Sequence, residues 1–131
     1  MTMDILIVED NRHMRRMLVE MVELAFPDAC VGEATDGATA YFQIDAWRPR
    51  VIVMDIDLPD ANGLSVARRV KELLPDLAIL IVTHHDSNTY QAHASAIGVR
   101  GYIHKDNAHA QLLPLLSSIL GSANEAKSQP C

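Results

Sequence analysis

With 131 residues, 49% of them apolar, and a formal net charge of −6, the chain has the size and composition of one folded domain with a proper core. That composition argues against a disordered polar segment, and the acidic balance argues against a surface that grips a phosphate backbone through clustered Lys and Arg. No apolar run is long enough to cross a bilayer, and Asp4 and Glu9 interrupt the first ten residues, so neither a spanning helix nor a secretory leader is expected.

Short apolar runs without polar alternation read as strands buried on both faces of a parallel sheet. The first is ILIV at 5–8. Met14, Met17, Leu18, Met21, Val22 and Ala25 then recur on one helical face, and Pro27 stops that helix. ACVGEA at 29–34 is a weaker run, expected at a sheet edge. Asp36 can cap a second helix carrying Ala40, Tyr41 and Ile44, which WRPR closes. VIVM at 51–54 is the third strand, and Leu64, Ala67, Val70 and Leu74 mark a helix stopped by Pro75. AILIV at 78–82 is the fourth strand, followed by a weaker helix over 87–97 that ends at Gly98. GYI at 101–103 is the fifth strand. Leu112, Leu113, Leu116, Ile119 and Leu120 form a last helix ending at Gly121, with Pro114 expected in or near its first turn, where proline is tolerated. From Ser122 the chain is small and polar, so a domain is placed at 1–121 and a tail or linker start at 122–131. The two cysteines, Cys30 and Cys131, do not make a disulfide framework and suit a reducing cytosol.

Strands alternating with helices make an α/β fold with a parallel sheet and right-handed crossovers. Such sheets bind ligands at the carboxyl ends of their strands. The residues just past the apolar runs are Glu9, Asp10, Asp55, Thr83 and, a little further on, Lys105. Clustered carboxylates with no Cys or His ligand set suit Mg²⁺. A carboxylate beside that ion can attack a phosphoryl group and form an aspartyl-phosphate. The transferred group carries charge on its equatorial oxygens, which the Lys105 ammonium and the Thr83 hydroxyl can meet. The histidines at 84, 85, 93, 104 and 109 match no zinc spacing, and Arg68, Arg69 and Lys71 read as a solvated helix face.

The motifs ED (9–10), MDIDLPDANG (54–63), VTHH (82–85) and GYIHKD (101–106), in this order between Ile5 and about Leu120, resemble the receiver domain of bacterial two-component response regulators. The resemblance implies a flavodoxin-like (βα)5 fold, strand order 2-1-3-4-5, with helices on both faces. It implies that Asp55 accepts a phosphoryl group from the phosphohistidine of a histidine kinase or phosphotransfer protein. Glu9, Asp10 and Asp55 would hold Mg²⁺ together with the backbone carbonyl of Asp57, whose side chain points away. Asp60 would have no chemical role. Thr83 and Lys105 would serve the phosphoryl group, and Thr83 with Tyr102 would carry a switch to the face made by helix 4, strand 5 and helix 5, a surface for partners including a second copy. Such a domain is cytoplasmic, modifies and resets only itself, and binds neither nucleic acid directly nor membrane.

Three departures stand out. His84 occupies a place where the family usually has a small residue, so it and His85 are expected to tune the lifetime of the phosphoryl state. Asp106 follows Lys105 where many members have proline, which favours a trans bond there. The KD pair resembles receivers that precede a LuxR/NarL-type helix-turn-helix domain controlling transcription, so the chain is expected to be either stand-alone or an excised receiver. Two alternatives remain open at this point. DID after an apolar strand also resembles the haloacid-dehalogenase nucleophile motif, although Pro59 is unusual there and the other acids lie upstream. A degenerate receiver acting only as a protein-interaction module is the second.

Overall fold

Branched apolar residues leave little room for helix and pair readily as strands, and each predicted run does so in the computed structural model, which describes residues 3–121. The strands are β1 (Ile5–Val8), β2 (Val31–Ala34), β3 (Val51–Met54), β4 (Ala78–Thr83) and β5 (Gly101–His104), all parallel in the order β2-β1-β3-β4-β5. Between and after them run α1 (Arg12–Ala25), α2 (Gly37–Trp47), α3 (Gly63–Leu73), α4 (Asn88–Ile97) and α5 (Ala108–Leu120), with one 3₁₀ turn (Lys105–Asn107) ahead of α5. The expected architecture is present in full.

Strand side chains alternate between the two sheet faces. Leu6, Val8, Ile52, Met54, Ile79 and Ile81 enter the core shared with α2, α3 and α4. Ile5, Ile7, Val51, Val53, Leu80 and Val82 enter the one shared with α1 and α5. The weaker run, β2, is an edge strand and only partly buried, as its composition suggested. Helix starts follow from capping side chains: Asn11 for α1, Asp36 for α2 in a reciprocal box with Thr39, Asn62 for α3 and Ser87 for α4.

Two local expectations need correction. Pro114 lies inside α5, because the helix already begins at Ala108 and not near Pro114. Pro114 and Ala110 are both exposed, so water can serve the carbonyl that proline leaves without a helical donor. Lys71 is not simply solvated: its Nζ donates to the carbonyls of Pro75 (2.7 Å) and Leu77 (3.0 Å) and ties off the turn after α3. Cys30, just ahead of β2, is buried. The tail expected over 122–131 lies outside the described residues. No helix among the described residues is long and apolar enough to cross a membrane.

Candidate functional site

Val8 and Met54 are register partners at the ends of β1 and β3, so the next residue on each strand, Glu9 and Asp55, emerges side by side at the carboxyl edge of the sheet. Both are buried, at 1% and 5% exposure. Like charges so placed repel, and the compensation comes from Lys105, which follows β5 and is itself buried. Its Nζ sits 2.7 Å from Glu9 Oε1 and 3.0 Å from Asp55 Oδ2. Thr83 closes β4, between β3 and β5, and is fully buried.

Burial pushes the Glu9 carboxyl above its ordinary 4.5; the bonds from Lys105 and from the Asn11 N–H pull it down without cancelling that effect, and the Asp55 charge adds to the rise. Burial also works against the Lys105 charge, but its bonds to Glu9 and Asp55 outweigh it and hold the ammonium above 10.5. Both values rise, which favours the charged lysine and disfavours the charged glutamate: two carboxylates share one cation, so the lysine is over-compensated and the glutamate under-compensated. Glu9 Oε2 accepts the Asn11 N–H at 3.0 Å. Asp55 Oδ1 is buried and has no hydrogen-bond partner among the described residues.

The other singled-out residues fall around this cluster. Asp10 is exposed at the rim. Asp57 is exposed too, and both its carboxylate oxygens meet His85 Nε2, at 2.8 and 3.0 Å, so its side chain is engaged outside the Lys105 cluster. Asp60 accepts the N–H groups of Gly37 (2.7 Å) and Ala38 (3.0 Å), clasping the first turn of α2 to the loop after β3. That job was invisible in sequence, since the partners lie more than twenty positions apart. Thr83 Oγ1 accepts the His85 N–H at 3.3 Å, and the Tyr102 hydroxyl donates to the His85 carbonyl at 2.9 Å. Burial raises the Tyr102 phenol above its usual value, with the charge of Asp86 next in size. His84 is exposed and lies edge-on to the ring of His104, 6.0 Å between centroids. His104 Nε2 reaches the His84 carbonyl at 3.0 Å. Of the two histidines, His85 is therefore the one that touches an acid of the site. No cis peptide occurs among the described residues, so Lys105–Asp106 is trans, as expected.

Sequence reasoning missed two contributors. A Cβ at Gly63 would collide with the Asp55 carbonyl, so only glycine lets α3 start directly against the backbone of Asp55. Arg15, on α1, bonds the main chain of the acidic pair: its Nη1 donates to the carbonyls of Glu9 (2.9 Å) and Asp10 (3.4 Å).

The donor set suits a hard cation: buried carboxylate oxygens and an exposed carboxylate beside them. The unpartnered Asp55 Oδ1 is the atom that such an ion would satisfy. Glu9 Oε2 already accepts the Asn11 N–H and Oε1 is ion-paired with Lys105, though without a hydrogen bond of good geometry, and no ready group of three or more His, Cys, Asp or Glu side chains stands in ligating array among the described residues. Asp55, with its unpartnered Oδ1, and the exposed Asp10 are the carboxylates here that could take up an ion.

A family model described as the response regulator receiver domain matches residues 5–117. The DNA-binding transcriptional activator DevR/DosR of Mycobacterium tuberculosis is 36% identical over 102 residues, covering 78% of this chain and 47% of its own length. The oxygen regulatory protein NreC of Staphylococcus carnosus is 30% identical over 118 residues, covering 89% of this chain and 54% of its own. The chain spans about half the length of these curated relatives. Among solved structures, a LuxR-family two-component response regulator from Aurantimonas sp. SI85-9A1 superposes with a TM-score of 0.83 at 29% identity, over 93% of this chain and 87% of that one. A CheY-like receiver domain protein from Methanospirillum hungatei JF-1 gives 0.83 at 22% identity over 97% and 100%, a likeness of fold. These matches displace the haloacid-dehalogenase reading of DID, whose second acid, Asp57, is here bonded to His85. The chain belongs to the receiver domain family of two-component response regulators.

Proposed function

We propose that this domain takes a phosphoryl group onto Asp55 from the phosphohistidine of a sensor kinase or phosphotransfer protein, and that the modification reshapes a partner-binding face. The observation that carries the reading is the division of labour within one buried carboxylate: Lys105 holds Oδ2, while Oδ1 has no hydrogen-bond partner. An oxygen–phosphorus bond forms on the Asp55 carboxylate as the donor's phosphorus–nitrogen bond breaks, and the departing imidazole keeps the nitrogen's electron pair. Asp55, Asp10 and Glu9, with the backbone carbonyl of Asp57, would hold Mg²⁺, which would supply positive charge to the phosphoryl oxygens. Lys105 offers its ammonium to the same oxygens, loosening from Glu9, and Thr83 offers its hydroxyl.

The switch would run through His85. Its N–H bonds Thr83 and its carbonyl holds Tyr102, so a Thr83 hydroxyl drawn to the phosphoryl group releases one tie and disturbs the other. α4, β5 and α5 form the face that would respond, and a second copy is among its partners. His85, tied to Asp57, and His84 beside it would tune the lifetime of the phosphoryl state by controlling the approach of water. The domain would occupy 1–121, with 122–131 as a tail or the start of a linker; it would work in the cytoplasm and modify nothing but itself.

Incubation with acetyl phosphate and Mg²⁺ should add one phosphoryl group by mass spectrometry, and Asp55→Asn should abolish it. Undiminished modification of the variant would remove Asp55 from the role. A wild type that takes up nothing would leave the interaction-module reading in its place. His85→Ala and His84→Ala should change the decay rate of the modified protein.

A further inference from the structure

Backbone carbonyls that leave a strand toward a loop need donors, and no backbone N–H among the described residues reaches the carbonyls of Glu9 or Asp10. Arg15, one turn into α1, fills the gap with its guanidinium, Nη1 lying 2.9 Å from the Glu9 carbonyl and 3.4 Å from that of Asp10. The same group gives its Nε to Glu33 Oε1 on β2 at 3.0 Å, and its side chain is only 17% exposed. The Glu33 carbonyl in turn accepts Gln43 Nε2 from α2 at 3.3 Å.

Sheet order gives this arrangement its meaning. β1 lies between β2 and β3, so Arg15 and Glu33 hold the acidic turn from the β2 side, while Asp55 and Lys105 meet it from the β3 side. We infer that Arg15 is a positioning residue for the cation site: it fixes the main chain of Glu9 and Asp10, and Glu33 neutralises it so that a guanidinium near a metal site does not repel the metal. The inference rests on the Mg²⁺ reading above and extends it to residues outside the acidic cluster. A planar fork suits the task, since one guanidinium serves two carbonyls and a carboxylate at once; an ammonium is a single point donor.

Charge and geometry predict opposite results, which makes the inference testable. Removing a positive charge beside acidic residues should by itself tighten cation binding. Losing the clamp should weaken it, by about tenfold if Arg15 acts as outer-shell partners of metal ligands commonly do. Mg²⁺ binding would be measured by calorimetry for wild type, Arg15→Gln, Arg15→Lys and Asp55→Asn. Amide hydrogen exchange at Asn11, whose N–H bonds Glu9 Oε2, would be followed in EDTA.

Weaker binding in both Arg15 variants, with faster exchange at Asn11 and unchanged protection at Val82 in the core, is the expected result. Arg15→Lys keeps the charge and guards against a Gln variant that fails to fold. Binding as tight as wild type in the folded Arg15 variants overturns the inference while leaving the metal site standing, whatever Asn11 does. A wild type that binds no Mg²⁺, or an Asp55→Asn variant that binds it equally well, overturns the site reading and this inference with it.

Discussion

One ammonium serving two buried carboxylates leaves a surplus negative charge, and the surplus shows at Glu9. Its carboxyl is raised above 4.5 chiefly by burial, despite Lys105 at 2.7 Å. A group whose folded value is raised adds stability that is fully present below its unfolded value and is lost as pH rises through the folded one. Without divalent cation, wild type should therefore lose this contribution as pH climbs above 4.5, whereas Glu9→Gln cannot. Melting both proteins in EDTA from pH 4 to about 7 should show the variant gaining on wild type as pH rises. Parallel curves would mean that burial does not burden Glu9. Lys105 keeps its charge throughout this window, because its own loss begins only above 10.5. The three acids of DIDLPD repel one another less than the string suggests: only Asp55 is buried, while Asp57 and Asp60 lie exposed, bonded to His85 and to the start of α2.

At the scale of elements, the loops after the strands are held by side chains from distant segments, and the helices by their own caps. α5 departs from that economy, because Pro114 interrupts the bonding of an otherwise continuous helix. A proline in a helix interior costs about 3 kcal/mol relative to alanine, and its stiffening of the unfolded chain returns up to about 1 kcal/mol of that. Pro114→Ala should then stabilise the domain by about 2 kcal/mol and raise its melting temperature by about 7 °C. The residue is exposed, so no core contact offsets the gain. An unchanged or lower melting temperature would show that α5 has already adapted to the missing bond. Phosphoryl uptake at Asp55 should not change.

At the scale of the whole molecule, one residue near Asp55 is bonded on both sides. His85 gives its N–H to Thr83 and its carbonyl to Tyr102, joining the ends of β4 and β5. Thr83→Ala should still take up the phosphoryl group, since Asp55 and Lys105 remain. It should, however, show smaller amide shifts on modification at Tyr102 and along α4 than wild type. Full-sized shifts in the variant would place the coupling elsewhere.

Strand count, helix positions, sheet class and the identity of the acid–lysine cluster were legible in the sequence, because each depends on local periodicity or on residues placed directly after an apolar run. Asp36 as a cap and Pro27 and Pro75 as stops were read from neighbours a few positions away. What only the tertiary structure decided is which partners the side chains choose across the sheet. Asp60 clasps α2, Arg15 bonds the main chain of Glu9 and Asp10, and Lys105 divides itself between Glu9 and Asp55. Gly63 is needed because the Asp55 backbone lies where a Cβ would go. These choices depend on strand order and on distances of a few ångströms between segments far apart in the chain, and hydrophobic periodicity carries no record of either.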